Sequence, residues 1–575
     1  MDIAGVLQIV IVLSAIISAS IPLSRYMAHI FNGEATFFDK IANPAENLTF
    51  KFLKLNEKEE TDWLTYLKTG LTANFFMLAL VFIILRFQNY LPFNQMHYKG
   101  IPWALDFNTA ISFVTNTNWQ NYAGEAALSN FSQMALVFLQ FTSAATGLVF
   151  LIAFIRGLAK TQAKNVGGFY PDFIKALYRI FIPLAVVFAV IMLFMGSPQT
   201  FKMQKKVVDM TGATQLLSVG PVASMVSIEN IGTNGGGFYN ANAAQPYENP
   251  TPFTNALLIF MMGVIPTAIF FMYGIMIKDK KHAFSLFLVA LTLLAVCIFT
   301  IYRQEAAGNP FLAKLGAAVR ASKYNPGGNM TGKEEHIGIA QSSMFAAATT
   351  AFTTGNVDSA HDSYMPASAA VLLGEMMLNL IFGGIGVGLL NMLAMVIIGV
   401  FIAGLMVGRT PEFLGKKIES KEVKLATLAM FAHAFIIIVP FALALSVPAG
   451  LAAGTTANPG PHGFSEILYA FASAVANNGS AMAGFNGATV FYNVILGVVI
   501  FLGRYVPIIC QVAIAGSLIK KKSVPESSGT FPAHGPLFYF VVMGTIILIG
   551  ALTFFPALAL GPVAEHFALM RGHLF

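Results

Sequence analysis

Long apolar runs recur along the chain, each close to the ~20 residues that cross a bilayer core as helix. They lie near 3–23, 65–87, 130–156, 174–195, 254–277, 283–302, 368–407, 425–447, 488–518 and 536–560, which predicts about ten spanning helices. A second pattern sits between some of them: a short apolar run, four small or polar residues, then the next long run. Thr115-Asn116-Thr117-Asn118, Gly232-Thr233-Asn234-Gly235, Thr353-Thr354-Gly355-Asn356 and Asn477-Asn478-Gly479-Ser480 share this frame. Singly, each reads as a turn, because Asn-Gly and Gly-Gly are ordinary turn dipeptides. Four in matching frames predict an all-α polytopic membrane protein built from four pseudo-symmetric helix–pore-hairpin–helix repeats, with one extra helix at each end. The segments are then 1–64 (first helix and a cytoplasmic loop), the repeats 65–156, 174–277, 283–407 and 425–518, and a last helix at 536–560.

The run 368–407 tests the count. Its roughly 40 residues make ~60 Å of helix at 1.5 Å per residue, twice a ~30 Å bilayer core. Two separate spans would put the basic 409–424 loop outside and the fourth hairpin inside. One helix broken at Gly383-Gly384-Ile385-Gly386-Val387-Gly388 keeps both in place. Close helix packing through small residues is the plainer use of such glycines.

Composition agrees. The chain has 575 residues, 56% hydrophobic and 11% charged, where a soluble domain carries roughly 25% charged residues. Lys and Arg number 34 against 27 acids, a net charge of +7, which in such a chain reflects cytoplasmic loops rather than nucleic-acid binding. Basic clusters at Arg156/Lys160/Lys164, Lys278/Lys280/Lys281, Arg409/Lys416/Lys417/Lys421/Lys424 and Lys520/Lys521/Lys522 put all four hairpins and both termini on the outer side. Lys202, Lys205, Lys206, Arg320 and Lys323 run against that rule. Cys297 and Cys510 fall in apolar stretches and imply no disulfide or metal framework. The first run starts at Ile3 without a basic leader and reads as a retained helix.

Four polar hairpins at membrane depth suit one task. A monovalent cation exchanges its water shell for rings of backbone carbonyls, in a backbone that Gly, Asn and Thr permit. Aligned on their first residues, the loops give one layer of Thr115, Thr233, Thr353 and Asn477, and a second of Asn116, Asn234, Thr354 and Asn478. The third layer is Thr117, Gly235, Gly355 and Gly479, with Thr117 the odd member. No acid lies inside any loop, which disfavours a divalent cation. Glu125, Glu248, Asp358 and Asp362 follow the loops, either as attractors at a mouth or as solvated carboxylates. Gly235-Gly236-Gly237 lacks the ending of a phosphate loop. Arg504 and Glu375 sit within apolar runs, where a charge implies a pathway or a partner. They either pair with each other or leave Arg504 as a plug beneath the filter. His361-Asp362 looks like half of a metal pair, but no third ligand stands at suitable spacing, so a loop hydrogen bond is expected. His433 reads as a core histidine. No nucleophile–base constellation supports a membrane enzyme.

These residues carry a resemblance over nearly the whole chain. Phe113–Gln120, Glu229–Phe238, Asn477–Ala481, Gly408-Arg409-Thr410-Pro411-Glu412, Leu414–Lys417, Asn458–Phe464 and Ala557–Glu565 resemble the potassium-binding A-subunit family of Kdp-type potassium-transporting P-type ATPases. The resemblance implies high-affinity K+ import across a bacterial cytoplasmic (inner) membrane, with K+ bound and no nucleotide on this chain. It implies a P-type B subunit that hydrolyses ATP, a small C subunit and a small F peptide as partners, and no nucleic acid. It places Asn116, Thr233, Thr353 and Asn477, with Gly235, Gly355 and Gly479, at filter positions, and Gln120 and Gly232 nearby. Gly383, Gly384, Gly386 and Gly388 match the loop that obstructs a straight path, and Arg504 the charge beneath the filter. The third loop, Thr353-Thr354-Gly355-Asn356, departs most from the family. A free-standing potassium channel or ion-coupled symporter with the same pore fold is the competing expectation.

Overall fold

A computed structural model of the chain describes residues 2–322, 325–406, 408, 411–524 and 531–573. Lys323, Arg409 and Thr410 lie outside the described residues. Ten helices among those described are long and apolar enough to cross a membrane: Ile3–Asn32, Trp63–Arg86, Asn130–Ala159, Phe169–Phe194, Pro252–Met276, Lys280–Lys314, Val387–Met406, Ser420–Ser446, Val490–Leu518 and Gly535–Arg571. Polar side chains start many of them. Asp2, Asp62, Ser129, Thr251, Asp279 and Thr489 each accept a hydrogen bond from the first-turn backbone, meeting donors that a helix leaves unpaired.

Four shorter helices, Trp103–Val114, Val222–Ile231, Gly338–Ala351 and Gly460–Ala476, lie between the spans. Each follows one span, ends in one of the four polar loops and leads into the next span. This is the repeat pattern, four times over. Burial separates centre from rim: the most apolar stretch of Asn130–Ala159 is 83% buried, that of Ile3–Asn32 only 11%. The second span of each repeat therefore forms the inner wall, and the first helix lies outside it against Pro252–Met276.

The structure differs from the sequence expectations in places. The helix break starts earlier than the glycines. Pro366–Leu378 stops at Asn379, which takes a left-handed backbone (φ 46°), and helix resumes at Val387. The Asn379 side chain donates to Ala476 O (3.2 Å), and its own carbonyl accepts from Asn391 Nδ2 (2.8 Å). Polar capping therefore ends the helix, and Val387 and Gly388 belong to the next one. The segment expected as a cytoplasmic loop holds a helix, Asp39–Leu53. Arg179 ties it down through Asp39 (2.6 Å) and Glu46 (2.6 Å). Strands are confined to short pairs, the longest a hairpin of Gln204–Val208 with Thr214–Ser218.

One buried ion pair fastens the inner wall to its neighbours. The Arg156 guanidinium donates to both Asp172 oxygens (2.5 and 3.0 Å), to Phe31 O (2.9 Å) and to Val166 O (3.2 Å). The Tyr66 hydroxyl also donates to Asp172 (3.0 Å). Removing one partner leaves an unpaired buried charge, a loss of about 3–5 kcal/mol. Arg156→Met is expected to lower the melting temperature of the detergent-solubilised protein sharply, whereas Arg156→Met with Asp172→Asn recovers part of the loss.

Candidate ion-binding site

The four loops begin alike because the helices before them end alike. Asn116, Thr233, Thr353 and Asn477 take left-handed backbone, with φ of 66°, 46°, 55° and 57°. The next residue in each loop then donates its N–H five residues back. Thr117 bonds Ser112 O (2.9 Å), Asn234 bonds Glu229 O (2.8 Å), Thr354 bonds Thr349 O (2.9 Å) and Asn478 bonds Ser473 O (2.9 Å). This is the helix-ending motif whose left-handed position Gly usually fills. Here Asn and Thr fill it.

The motif corrects the register read from sequence. The first loop slides by one residue. Its left-handed position is Asn116, aligned with Thr233, Thr353 and Asn477, and Thr115 drops out to cap its own helix at Ile111 O (2.8 Å). The next layer is Thr117, Asn234, Thr354 and Asn478. The third is Asn118, Gly235, Gly355 and Gly479, all at positive φ. The odd member is Asn118, not Thr117.

These layers close into a ring. A Cβ added to Gly235 would stand 2.2 Å from Thr354 O, one on Gly355 2.0 Å from Asn478 O, and one on Gly479 2.1 Å from Thr117 O. Each glycine thus lets the following loop's carbonyl approach, and the contacts run from loop two to three, three to four, and four to one. Between loops one and two, side chains take over. Asn118 Nδ2 donates to Gly235 O (2.8 Å), Asn116 Nδ2 to Thr233 O (2.8 Å), and Gln120 exchanges two bonds with Gly237 (3.0 and 3.1 Å). Asn234 Nδ2 also donates to Asn116 Oδ1. Asn477 Nδ2 reaches Thr117 Oγ1 (2.9 Å), and Asn356 Nδ2 reaches Asn230 Oδ1 (3.1 Å). Among the described residues, the carbonyls of Thr117, Asn234, Thr354 and Asn478 accept no hydrogen bond. Four helix C-termini end beside these carbonyls, each carrying about half a negative charge. The ring can thus take a cation without a carboxylate.

The ring opens on a vestibule of about 490 Å³, lined by residues of all four loops, among them Asn118, Gly236, Gly355 and Gly479. Two of the acids expected at a mouth are elsewhere. Glu248 and Asp358 are fully buried, neither attractors nor solvated. Burial raises the Glu248 carboxyl above its ordinary range and pushes Asp358 up to about 7. Glu125 Oε2 is spent on Asn240 N (3.0 Å).

The other side of the ring is obstructed. Ile385 N donates to Thr233 Oγ1 (3.1 Å), and Gly383 N to Ala351 O (2.8 Å). A Cβ on Gly384 would touch Thr353 Cβ at 3.5 Å. The break in the third repeat is therefore packed against the base of the filter. Gly386 sits so close to the first repeat that a Cβ would be 2.2 Å from Gly147 O. A Cβ on Gly147 would meet both Ile385 O (2.5 Å) and Arg504 Nη2 (2.6 Å), and Arg504 Nη2, in a residue only 4% exposed, has no hydrogen-bond partner among the described residues. Glu375 does not pair with it: among the described residues no ion pair joins them, and Glu375 Oε2 accepts from Thr350 Oγ1 (2.5 Å). His433 is buried in the core, as its apolar setting suggests. His361 makes a hydrogen bond, but to the fourth pore helix rather than within its loop: Nδ1 meets the Tyr469 hydroxyl (2.8 Å). Sequence reasoning missed Asn379, Asn391 and Gln511, which link the break to the last inner helix through Gln511 Nε2 and Asn391 Oδ1 (2.8 Å). Their only sequence signal is three amides in apolar runs.

A family model described as potassium-transporting ATPase A subunit matches residues 10–567. A potassium-transporting ATPase potassium-binding subunit from Alicyclobacillus acidocaldarius is 48% identical over 571 residues, spanning 99% of this chain and 100% of that protein. One of the same description from Delftia acidovorans is 44% identical over 570 residues, spanning 99% of each. Among solved structures, the potassium transporter TrkH from Vibrio parahaemolyticus aligns with a TM-score of 0.50 at 15% identity, over 75% of this chain and 82% of that one. That likeness concerns the fold alone.

The ring geometry gives a test. Gly355 has a φ of +87° and a backbone oxygen where its Cβ would go, whereas Gly374 has open space there. Gly355→Ala is expected to raise the K+ concentration giving half-maximal thermal protection at least tenfold, and Gly374→Ala to leave it unchanged.

Proposed function

Because the chain belongs to the family of potassium-transporting ATPase A subunits, we propose that it is the potassium-binding and translocating subunit of an ATP-driven, high-affinity import pump. The observation that carries this reading is the ring of four unpaired carbonyls, Thr117, Asn234, Thr354 and Asn478, closed above an obstructed floor. Buried carbonyls without a donor are costly. A cation that exchanges its hydration shell for them removes that cost. K+ enters from the outer vestibule, loses water at the ring and binds among Thr117, Asn234, Thr354 and Asn478, with the left-handed layer Asn116, Thr233, Thr353 and Asn477 beneath.

Gly383, Gly384 and Gly386 hold the break against the filter floor, and Gly388 lets the following helix start beneath it. Arg504 adds a repelling charge below. The ion therefore leaves sideways rather than straight through. A P-type B subunit at that side hydrolyses ATP and takes the ion onward, with a small C subunit and a small F peptide completing the assembly. Glu375, bonded to Thr350 of the third pore helix, belongs to the wall beside that helix rather than to the ring. The protein sits in a bacterial cytoplasmic membrane with the four loops and both termini outside, as the basic clusters direct.

Uptake at micromolar external K+ tests the reading. ATP-dependent, vanadate-sensitive uptake is expected only when the chain is co-expressed with the B and C subunits. Robust uptake by the chain alone would instead establish the free-standing channel or symporter. Gly235→Asp puts a carboxylate and a Cβ against Thr354 O. It is expected to raise the K+ concentration for half-maximal transport tenfold or more and to weaken discrimination against Rb+. Unchanged values would overturn the assigned register.

A further inference from the structure

His361 turns to Tyr469, and Asp362 instead joins a cluster that sequence spacing does not show. The fourth pore helix brings His462 and Glu466 to it from about 100 residues away. One ligand atom from each of Asp362, His462 and Glu466 lies within 4.8 Å of the others. His462 Nε2 is 3.1 Å from Asp362 Oδ1 and 3.9 Å from Glu466 Oε1. Around a tetrahedral ion with ligand bonds near ~2.0–2.2 Å, neighbouring ligand atoms stand ~3.3 Å apart, so these two distances bracket the requirement.

Three further observations point to a bound cation. The Glu466 side chain is fully buried, and its Oε2 has no hydrogen-bond partner. The other ring nitrogen of His462 is held by a carboxylate, Nδ1 lying 2.8 Å from Glu565 Oε1. A histidine that ligates a metal almost always gives its second N–H to such an acceptor. Lastly, three carboxylates surround one imidazole, and among the described residues none of them pairs with Lys or Arg within 4.0 Å. Gly484 clears the space: a Cβ there would stand 2.1 Å from Glu466 Oε1 and 3.0 Å from Asp362 Oδ2.

We propose that Asp362, His462 and Glu466 form a binding site for a divalent transition-metal cation of the zinc class, with Glu565 as the positioning residue for His462. One nitrogen and two oxygen donors suit that class. Asp362 and His462 are each about one-sixth exposed, 17% and 16%, so a fourth position stays open to water. The metal joins the loop after the third filter segment to the fourth pore helix, and Glu565 ties the C-terminal helix to the same imidazole. It also stands one residue from a hydrogen-bond chain into the ring. His361 Nδ1 meets the Tyr469 hydroxyl (2.8 Å), that hydroxyl meets Ser480 Oγ (2.8 Å), and Ser480 Oγ donates to Asn478 Oδ1 (2.5 Å).

The test uses the purified full chain, free of any polyhistidine tag and stripped with EDTA. Zn2+ is titrated against a competing chromogenic chelator, with Mg2+ and Ca2+ as comparison ions. Saturable binding of one Zn2+ per chain is expected, tighter than Mg2+ or Ca2+. His462→Ala and Glu466→Gln should each weaken it at least tenfold, Glu565→Gln several-fold, and exposed His97→Ala not at all. Glu466→Gln preserves shape and the bond from Asn458 Nδ2 (2.7 Å), so it decides the matter if His462→Ala fails to fold. Absence of a stoichiometric site in the unsubstituted chain, or affinity within twofold of it in Glu466→Gln, overturns the proposal.

Discussion

Irregular backbone at membrane depth survives only if every polar group finds a partner other than lipid, and that constraint governs the pore. Each filter loop solves half of it locally. The N–H groups of Thr117, Asn234, Thr354 and Asn478 turn back onto the preceding helix through matched bonds of 2.8–2.9 Å. The carbonyls of the same residues are left over. They are tolerable because four helix ends, four loops and three close glycine contacts collect them at one place, where a cation or its water can meet them. The capping geometry fixes the register, the register makes the ring, and the ring sets what can bind.

The broken helix obeys the same constraint with different partners. Asn379, Ile385 and Gly383 find acceptors on the fourth pore helix, the second loop and the third pore helix respectively. A free-floating loop would leave those groups unpaired. Packing it against the filter pairs them, so the obstruction below the ring is also what makes the break stable. Gly388 contributes by size, since a Cβ there would fall 1.8 Å from Phe382 O, and Gly386 by size and by its left-handed backbone (φ +82°).

Hydropathy made the spans legible, because ~20 apolar residues have few other uses. It also made the break necessary, through the excess length of 368–407. The register of loop one was not legible. Thr115-Asn116-Thr117-Asn118 is a Thr-Asn pair written twice, and a pattern of side chains fits either copy. Only the φ of Asn116 and the bond from Thr117 N to Ser112 O choose between them. Asp39–Leu53 stayed hidden because its apolar residues are interrupted by charged and polar ones, and Arg179, far along the chain, completes it. The Asp362–His462–Glu466 cluster was invisible for a related reason. Sequence spacing finds ligands on one element, and these come from two repeats.

Writing four repeats in one chain, rather than assembling four copies, frees each position to differ, and each repeat uses that freedom. The junction of loops one and two replaces glycine by Asn118 and is tied by side chains, whereas the other three are closed by backbone contact. The Asn379–Gly386 helix break lies in the third repeat, and Arg504 in the fourth. Both meet Gly147 of the first repeat beneath the ring. Four identical subunits would repeat the break and the arginine around the axis, either sealing it or leaving it open on every side. The break and Arg504 instead make the floor beneath the ring asymmetric. The near-fourfold ring above thus stands on an asymmetric floor, built by Ile385 of the third repeat and Arg504 of the fourth against Gly147 of the first.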